Sequence, residues 1–186
     1  MSTTATIDQA TAIPAGSWDI DPIHSTIGFE VKHFGVSTFR GRFNGYEGAL
    51  EVSDSGLEGV SGEIDVASID VNDEQLSGHL QSEDFFDAAS HPKLRFTSTA
   101  IDQTDDGYHV TGDLEIRGTT KPVELDVHLD AVGVGPDGSE RLGLVASGEI
   151  DRTAFGITYN STLANGALLI GERVKLVLSV EAVKHS

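Results

Sequence analysis

The sequence predicts an all-β domain, an antiparallel barrel or sandwich of about eight or nine strands with one short helix. Apolar residues recur at every second position in segment after segment from Thr26 onward. A period of two places alternate side chains on opposite faces of a strand. Turn-forming clusters such as Asp54-Ser55-Gly56, Asp105-Asp106-Gly107 and Gly135-Pro136-Asp137-Gly138 separate those segments, at the spacing of a meandering sheet. The two faces differ in kind: Val123, Leu125, Val127 and Leu129 alternate with Glu124, Asp126, His128 and Asp130. One face is therefore dry and the other wet and acidic.

Taken in order, residues 1–16 are small and polar, with Ile7 and Ile13 isolated, and read as a disordered leader ahead of a single domain over 17–186. A first strand is expected at 17–20, ending at the Asp21-Pro22 turn. Ile27, Phe29 and Val31 mark the second; its register breaks at Phe34-Gly35-Val36, read as a bulge or tight bend, and resumes with Phe39, Gly41 and Phe43. Asn44-Gly45 reads as a hairpin turn. Strands over 49–52 and from Ile64 to about Val71 follow. Asn72 is the expected N-cap of a helix near 72–82, with Gln75 completing a capping box and Leu76 and Leu80 forming one apolar stripe. Asp73 and Glu74 fall in its first turn, where the helix dipole favours negative charge. Strands return at 94–96, 108–116, 123–132, 142–150 and 174–180. The stretch 151–171 reads as an irregular loop over one end of the sheet.

A length of 186 residues suits one domain, and the absence of cysteine removes disulfides and thiolate metal sites. The formal net charge of −18 argues against nucleic acid, which is bound through clustered Lys and Arg. It argues equally against permanent residence on an anionic membrane, leaving transient membrane contact at most. No basic segment precedes an apolar run at the N-terminus, and no stretch approaches the roughly 18 apolar residues of a membrane span. The expected location is cytoplasmic. Asn160-Ser161-Thr162 fits a glycosylation sequon and is read as chance in that setting.

No catalytic constellation stands out. Gly-x-Ser-x-Gly, a phosphate-binding glycine loop and His-Glu-x-x-His are all absent, so neither an enzyme nor a metal site is expected. Of seven scattered histidines, His109 and His128 fall in the polar register of their strands. His24, at the start of a strand, and His79, on the helix, stand open between a structural hydrogen bond and a ligand contact. The eight phenylalanines are more informative. Phe29, Phe43 and Phe96 fit ordinary core packing, whereas Phe34, Phe85, Phe86 and Phe155 lie near register breaks and in the irregular segment. Aromatics at the rim of a barrel can line a mouth for an apolar ligand.

The chain resembles the YceI family, the lipocalin-like, polyisoprenoid-binding proteins of bacteria. The resemblance runs from Trp18 to Val183. It is carried by Trp18-Asp19-Ile20-Asp21-Pro22 with His24-Ser25, Phe29-x-Val31-Lys32-His33, Gly41-Arg42-Phe43 and Val66-Ala67-Ser68-Ile69. It continues through His79-Leu80, Asp84-Phe85-Phe86-Asp87, His91-Pro92 and Phe96. Gly112-x-Leu114-x-Ile116-Arg117-Gly118-Thr119-Thr120-Lys121-Pro122-Val123 and Arg152-x-x-Phe155-Gly156 complete it.

What the resemblance implies is a lipocalin-like antiparallel β-barrel of about eight strands with the short helix at its end. The barrel would hold a long-chain isoprenoid, an isoprenoid quinone or polyprenyl phosphate, in an elongated apolar cavity for binding, storage or transport. No catalytic residue and no cofactor beyond that lipid is implied, and a homodimer is plausible. On this reading the cavity residues are Phe29, Val31, Phe34, Phe39, Phe43, Leu76, Leu80, Phe85, Phe86, Phe96, Leu114, Ile116 and Phe155. His24, His79, Arg117 and Arg152 are the candidates for the head or mouth, with Arg40, Arg42 and Lys121 as further cations. One departure is Leu76-Ser77, where the family commonly shows an Arg-Asp pair. The alternative reading is a stress-associated structural or interaction barrel, filled by its own side chains and holding no lipid.

Overall fold

The computed structural model describes residues 12–185. Its strands are β1 (Gly16–Ile20), β2 (Thr26–His33), β3 (Ser37–Phe43), β4 (Tyr46–Ser53), β5 (Gly56–Asp65), β6 (Ile69–Asp70), β7 (Lys93–Gln103), β8 (Gly107–Ile116), β9 (Thr119–Val134), β10 (Glu140–Asp151) and β11 (Ile170–Lys184), with α1 (Glu74–Gln81) between β6 and β7. Three pairs of these segments are single staves with an interruption. β1 pairs with β4 while β2 pairs with β3, and β4 pairs with β5 while β3 pairs with β6. β5 then pairs with β7, and each strand from β7 to β11 with the next. β11 closes the ring onto both β2 and β1. The result is a closed, antiparallel, up-and-down barrel of eight staves.

Alternation sorts side chains as the sequence suggests. Along β9, Val123, Leu125 and Val127 are buried, while Glu124, Asp126 and His128 are exposed. Several local expectations need correction. Asn44-Gly45 is a kink within one stave, because Asn44 N–H donates to Ser68 O and Asp65 N–H to Gly45 O. The close approach of Ser68 and Asp65 to Gly45 leaves little space for a side chain, so the glycine serves contact between staves, and no chain reversal occurs there. Phe34-Gly35-Val36 is the hairpin turn between β2 and β3, with Phe34 and Gly35 left-handed at φ 56° and 68°. The stave expected to start near Ile64 begins at Gly56 and breaks in a 3-10 turn, Val66–Ser68. The helix starts one residue later than expected: Asp73 is the N-cap, accepting from Leu76 N–H at 2.8 Å. Asn72 is left-handed (φ 60°) and donates its N–H to Asp70.

Of the expected leader, residues 1–11 lie outside the described residues; Ile13 packs into the core and Gly16 opens β1. Among the described residues no helix is long and apolar enough to cross a membrane.

Antiparallel order puts the connections alternately at the two ends. One end carries the β2–β3 turn, the long segment 71–92 with α1, the Arg117-Gly118 turn and the loop 152–169. Among the described residues, the other carries short turns and the chain ends of the barrel. There Trp18, Leu142 and Ala182 are fully buried and form a solid floor, with Trp18 Nε1–H donating to Pro14 O at 3.1 Å.

Candidate functional site

Above that floor the barrel is hollow. A cavity of about 480 Å3 opens toward the end with the long connections. Its walls are the inward residues of the staves, among them Ile27, Phe29, Val31, Leu114, Ile116, Val123, Leu125, Val174, Leu176 and Leu178. The space persists because its largest side chains lie along the wall. Phe29 sits opposite Gly41, where a Cβ would come within 2.4 Å of the ring. Phe96 lies over Gly112, where a Cβ would come within 2.3 Å. A glycine on a neighbouring strand lets an aromatic ring cover it flat, and the barrel axis stays open.

The mouth is built from the long connections. Leu76 and Leu80 of α1 turn into the cavity beside Phe85 and Phe86, and Phe86 meets Phe43 edge-on at 5.7 Å. His79, Phe85 and Tyr159 form a three-ring cluster, with centroids 5.1 to 5.2 Å apart. His79 Nε2 also bonds Asp84 at 3.0 Å. Arg117 ties the segment down: its Nη1 donates to Phe85 O at 2.7 Å and Glu83 O at 3.0 Å. Arg152 does the same for the loop 152–169. It is buried, and its guanidinium donates to the carbonyls of Gly171, Ile157, Tyr159 and Ile170 at 2.7 to 3.2 Å. Burial holds its pKa below the usual arginine value. Among the described residues, the non-glycine residues with left-handed backbone, Phe34, Asn72, Asp87 and Arg117, all belong to these mouth connections. Strained backbone of this kind concentrates at ligand clamps and switch regions.

Of the apolar residues singled out in the sequence, all but Phe34 and Phe155 line the cavity. Phe34 leaves it because its left-handed turn lays the ring against His33, centroids 4.0 Å apart. Phe155 is buried in the core, in a 3-10 turn that packs on β9 and β11. His79 and Arg152 line the mouth; Arg117 braces it from outside the lining. Arg40, Arg42 and Lys121 lie away from the cavity, the two arginines paired with Glu30 and Asp70. Sequence reasoning passed over Tyr159 and Ile157, which reach the cavity only because Arg152 folds their loop inward. Asn160 is similarly committed to the fold, donating to Ile170 O and accepting from Ile170 N–H.

His24 is not at the mouth. It sits on the outer surface in the break between β1 and β2, with Nδ1 bonded to Asp21 at 2.8 Å. Asp21, His24 and Glu181 lie close enough to share an ion, but Arg141 already bonds both carboxylates. The hydrogen bond to Asp21 raises the His24 pKa above its ordinary 6.5, and the same bond lowers Asp21 below 3.8. Protonated His24 therefore stabilises the fold below about pH 6.5, and that contribution is lost as pH rises through its raised value. The Asp21 contribution is lost as pH falls through its lowered value. Melting temperature should decline slightly between pH 6 and 8.5, and His24→Gln should flatten that slope. His109, raised by Asp126, keeps a residual slope of the same sign.

Comparison with known proteins matches this architecture. A family model described as a YceI-like domain covers residues 18–182. A UPF0312 protein of Pectobacterium atrosepticum is 34% identical over 170 residues, spanning 90% of this chain and 85% of that protein. One from Yersinia pestis is 35% identical over 163 residues, spanning 87% and 82%. In fold, the chain is similar to BcnA of Burkholderia cenocepacia, with a TM-score of 0.76 at 22% identity over 87% of this chain and 98% of that one. It is also similar to a polyisoprenoid binding domain from Saccharophagus degradans, with a TM-score of 0.66 at 12% identity over 90% and 98%. The matched span, the curated relatives and the closed barrel agree: this chain belongs to the YceI-like domain family.

Proposed function

We propose that this protein is a non-catalytic binder, a carrier or store, that holds an isoprenoid lipid tail-first in its blind-ended barrel. The hollow upper half carries this reading. A cavity of about 480 Å3, at roughly 30 Å3 per non-hydrogen atom, the liquid share of a water, accommodates about 16 atoms. That is about three isoprene units. The depth agrees. β11 lines the cavity from Ile170 to Leu178, and eight steps of about 3.3 Å on a strand tilted by about 40° give a depth of roughly 20 Å. Longer tails therefore leave their remaining units at or beyond the mouth. The cavity weighs against the alternative structural reading, which depends on a barrel filled along its axis.

Burying three isoprene units from water is worth roughly 12 kcal/mol gross, at about 0.8 per methylene. Taken from a bilayer, the same tail gains almost nothing, so selection rests on cavity shape and on the head. The guanidiniums of Arg117 and Arg152 are engaged by backbone carbonyls, which leaves Lys32 at the cavity edge as the cation nearest a phosphorylated head. A neutral head such as a quinone suits the site better.

The test is native mass spectrometry of the purified protein with lipid extraction. One prenyl lipid per chain is expected. Recovery of none, together with no uptake of an added isoprenoid quinone, would overturn the proposal.

A further inference from the structure

Four exposed apolar side chains gather around the cavity mouth. Val36 is 84% exposed at the tip of the β2–β3 turn, and Phe34, Tyr159 and Leu168 are exposed around it. These side chains come from two connections that touch, since Phe34 N–H donates to Leu169 O at 3.0 Å. The loop tip is itself ordered by the Thr162–Leu168 bridge and by Leu163 N–H donating to Ala167 O. Lys32, with an aliphatic stem suited to an interface, lines the same edge. An apolar rim on loop tips, continuous with a greasy cavity, is suited to entering a soft surface more than to covering a flat one. Two comparably exposed large apolar side chains lie elsewhere among the described residues, Ile23 in the break between β1 and β2 and Val134 at the floor end.

We propose that this rim docks the barrel mouth-down on a lipid bilayer with electrically neutral, zwitterionic headgroups. The inference rests on the isoprenoid reading of the cavity, because such a lipid resides in a bilayer and must leave it through this mouth. Charge selects the surface. A chain of net charge −18 is repelled by anionic lipid over about a Debye length, and salt relieves that repulsion. Tyr159, with its ring in the mouth cluster, supplies the amphipathic aromatic that favours the headgroup level.

The experiment uses the full chain. Trp18, the single tryptophan, is buried at the floor and serves as an internal control. In Val36→Trp, brominated phosphatidylcholine vesicles should quench the new tryptophan and leave Trp18 emission unchanged. Adding phosphatidylglycerol should weaken vesicle binding at low salt, with recovery at higher salt. The double variant Phe34→Asn, Val36→Asp should lose about tenfold in vesicle binding, and Asn is at ease in the left-handed conformation of position 34. Absence of quenching and of co-sedimentation would overturn the docking. So would burial of the position-36 tryptophan in a lipid-free dimer, which would assign the rim to a second copy.

Uptake of a three-unit isoprenoid alcohol from detergent, measured in parallel, separates the two ideas. Uptake without docking sinks only the docking, whereas docking without uptake sinks the cavity reading.

Discussion

Gly41→Val is expected to abolish isoprenoid uptake while leaving a folded barrel. A Cβ at position 41 would stand 2.4 Å from Phe29 Cζ and 2.9 Å from Val71 Cγ1. Both neighbours are side chains, so the backbone of β3 can stay in register while the Phe29 ring gives way. Phe29 has only the lumen to move into, because the wall behind it is the β2–β3 pairing itself. A displaced ring lies across the path of the tail. Overpacking of this kind costs about 1–3 kcal/mol, partly offset by the preference of valine for a strand. Uptake of an isoprenoid quinone should fall by tenfold or more, read by native mass spectrometry or by displacement of a fluorescent lipid. Gly133→Val is the control, since an added Cβ there meets nothing within 4 Å; its uptake should match the parent. Phe29→Leu placed on Gly41→Val should restore part of the uptake, since the shorter side chain can stay clear of the axis. Undiminished uptake by folded Gly41→Val would show that the tail does not use this lumen.

The walls of the barrel were legible in the sequence, and eleven of the thirteen apolar residues expected in its cavity do line it. The period of two is a local property: once Val123, Leu125 and Val127 share a face, that face must be the dry one in an acidic chain. The closing pairs were less visible. Asn44-Gly45 carries the composition of a hairpin, yet its role is set by Ser68 and Asp65, which are distant in the chain. The void was expected only through the family resemblance, and nothing in the local pattern of the strands shows it. Phe29 and Gly41 each look ordinary in their own strands; only their opposition across the β2–β3 pair keeps the ring off the axis. The mouth was legible only where backbone conformation follows from residue type. Phe34 at φ 56° is a conformation that few would assign to phenylalanine, and it carries that ring out of the lumen. Tyr159 enters through the fold of a loop whose organiser, Arg152, gave no sign from spacing that it binds carbonyls.

Removing that organiser should produce the largest loss of stability of any single change outside the floor. Arg152 is 5% exposed and satisfies four backbone carbonyls from two chain segments, 157–159 and 170–171. Arg152→Met keeps much of the apolar stem and deletes every donor. Each buried carbonyl left without a partner costs about 1–3 kcal/mol. Loop movement that admits water and the relief of burying a guanidinium recover part, so a net loss of about 3–5 kcal/mol is expected from the four carbonyls. For a chain of this size that lowers the melting temperature by roughly 10 °C. Lysine is no substitute. It has a single nitrogen, and four carbonyls arranged around a planar fork lie beyond its reach, so Arg152→Lys should recover less than half of the loss. Arg117→Met, whose guanidinium is half-buried and braces the helix segment through one nitrogen, should cost much less, about 1 kcal/mol. The same unfastening should reach the ligand. With Ile157 and Tyr159 released from Arg152, the ring cluster with His79 and Phe85 loses one member and the mouth widens. Bound isoprenoid should then leave Arg152→Met faster than it leaves the parent, even at a temperature where both are fully folded. Equal melting temperatures and equal release rates would show that the loop holds its shape without the arginine.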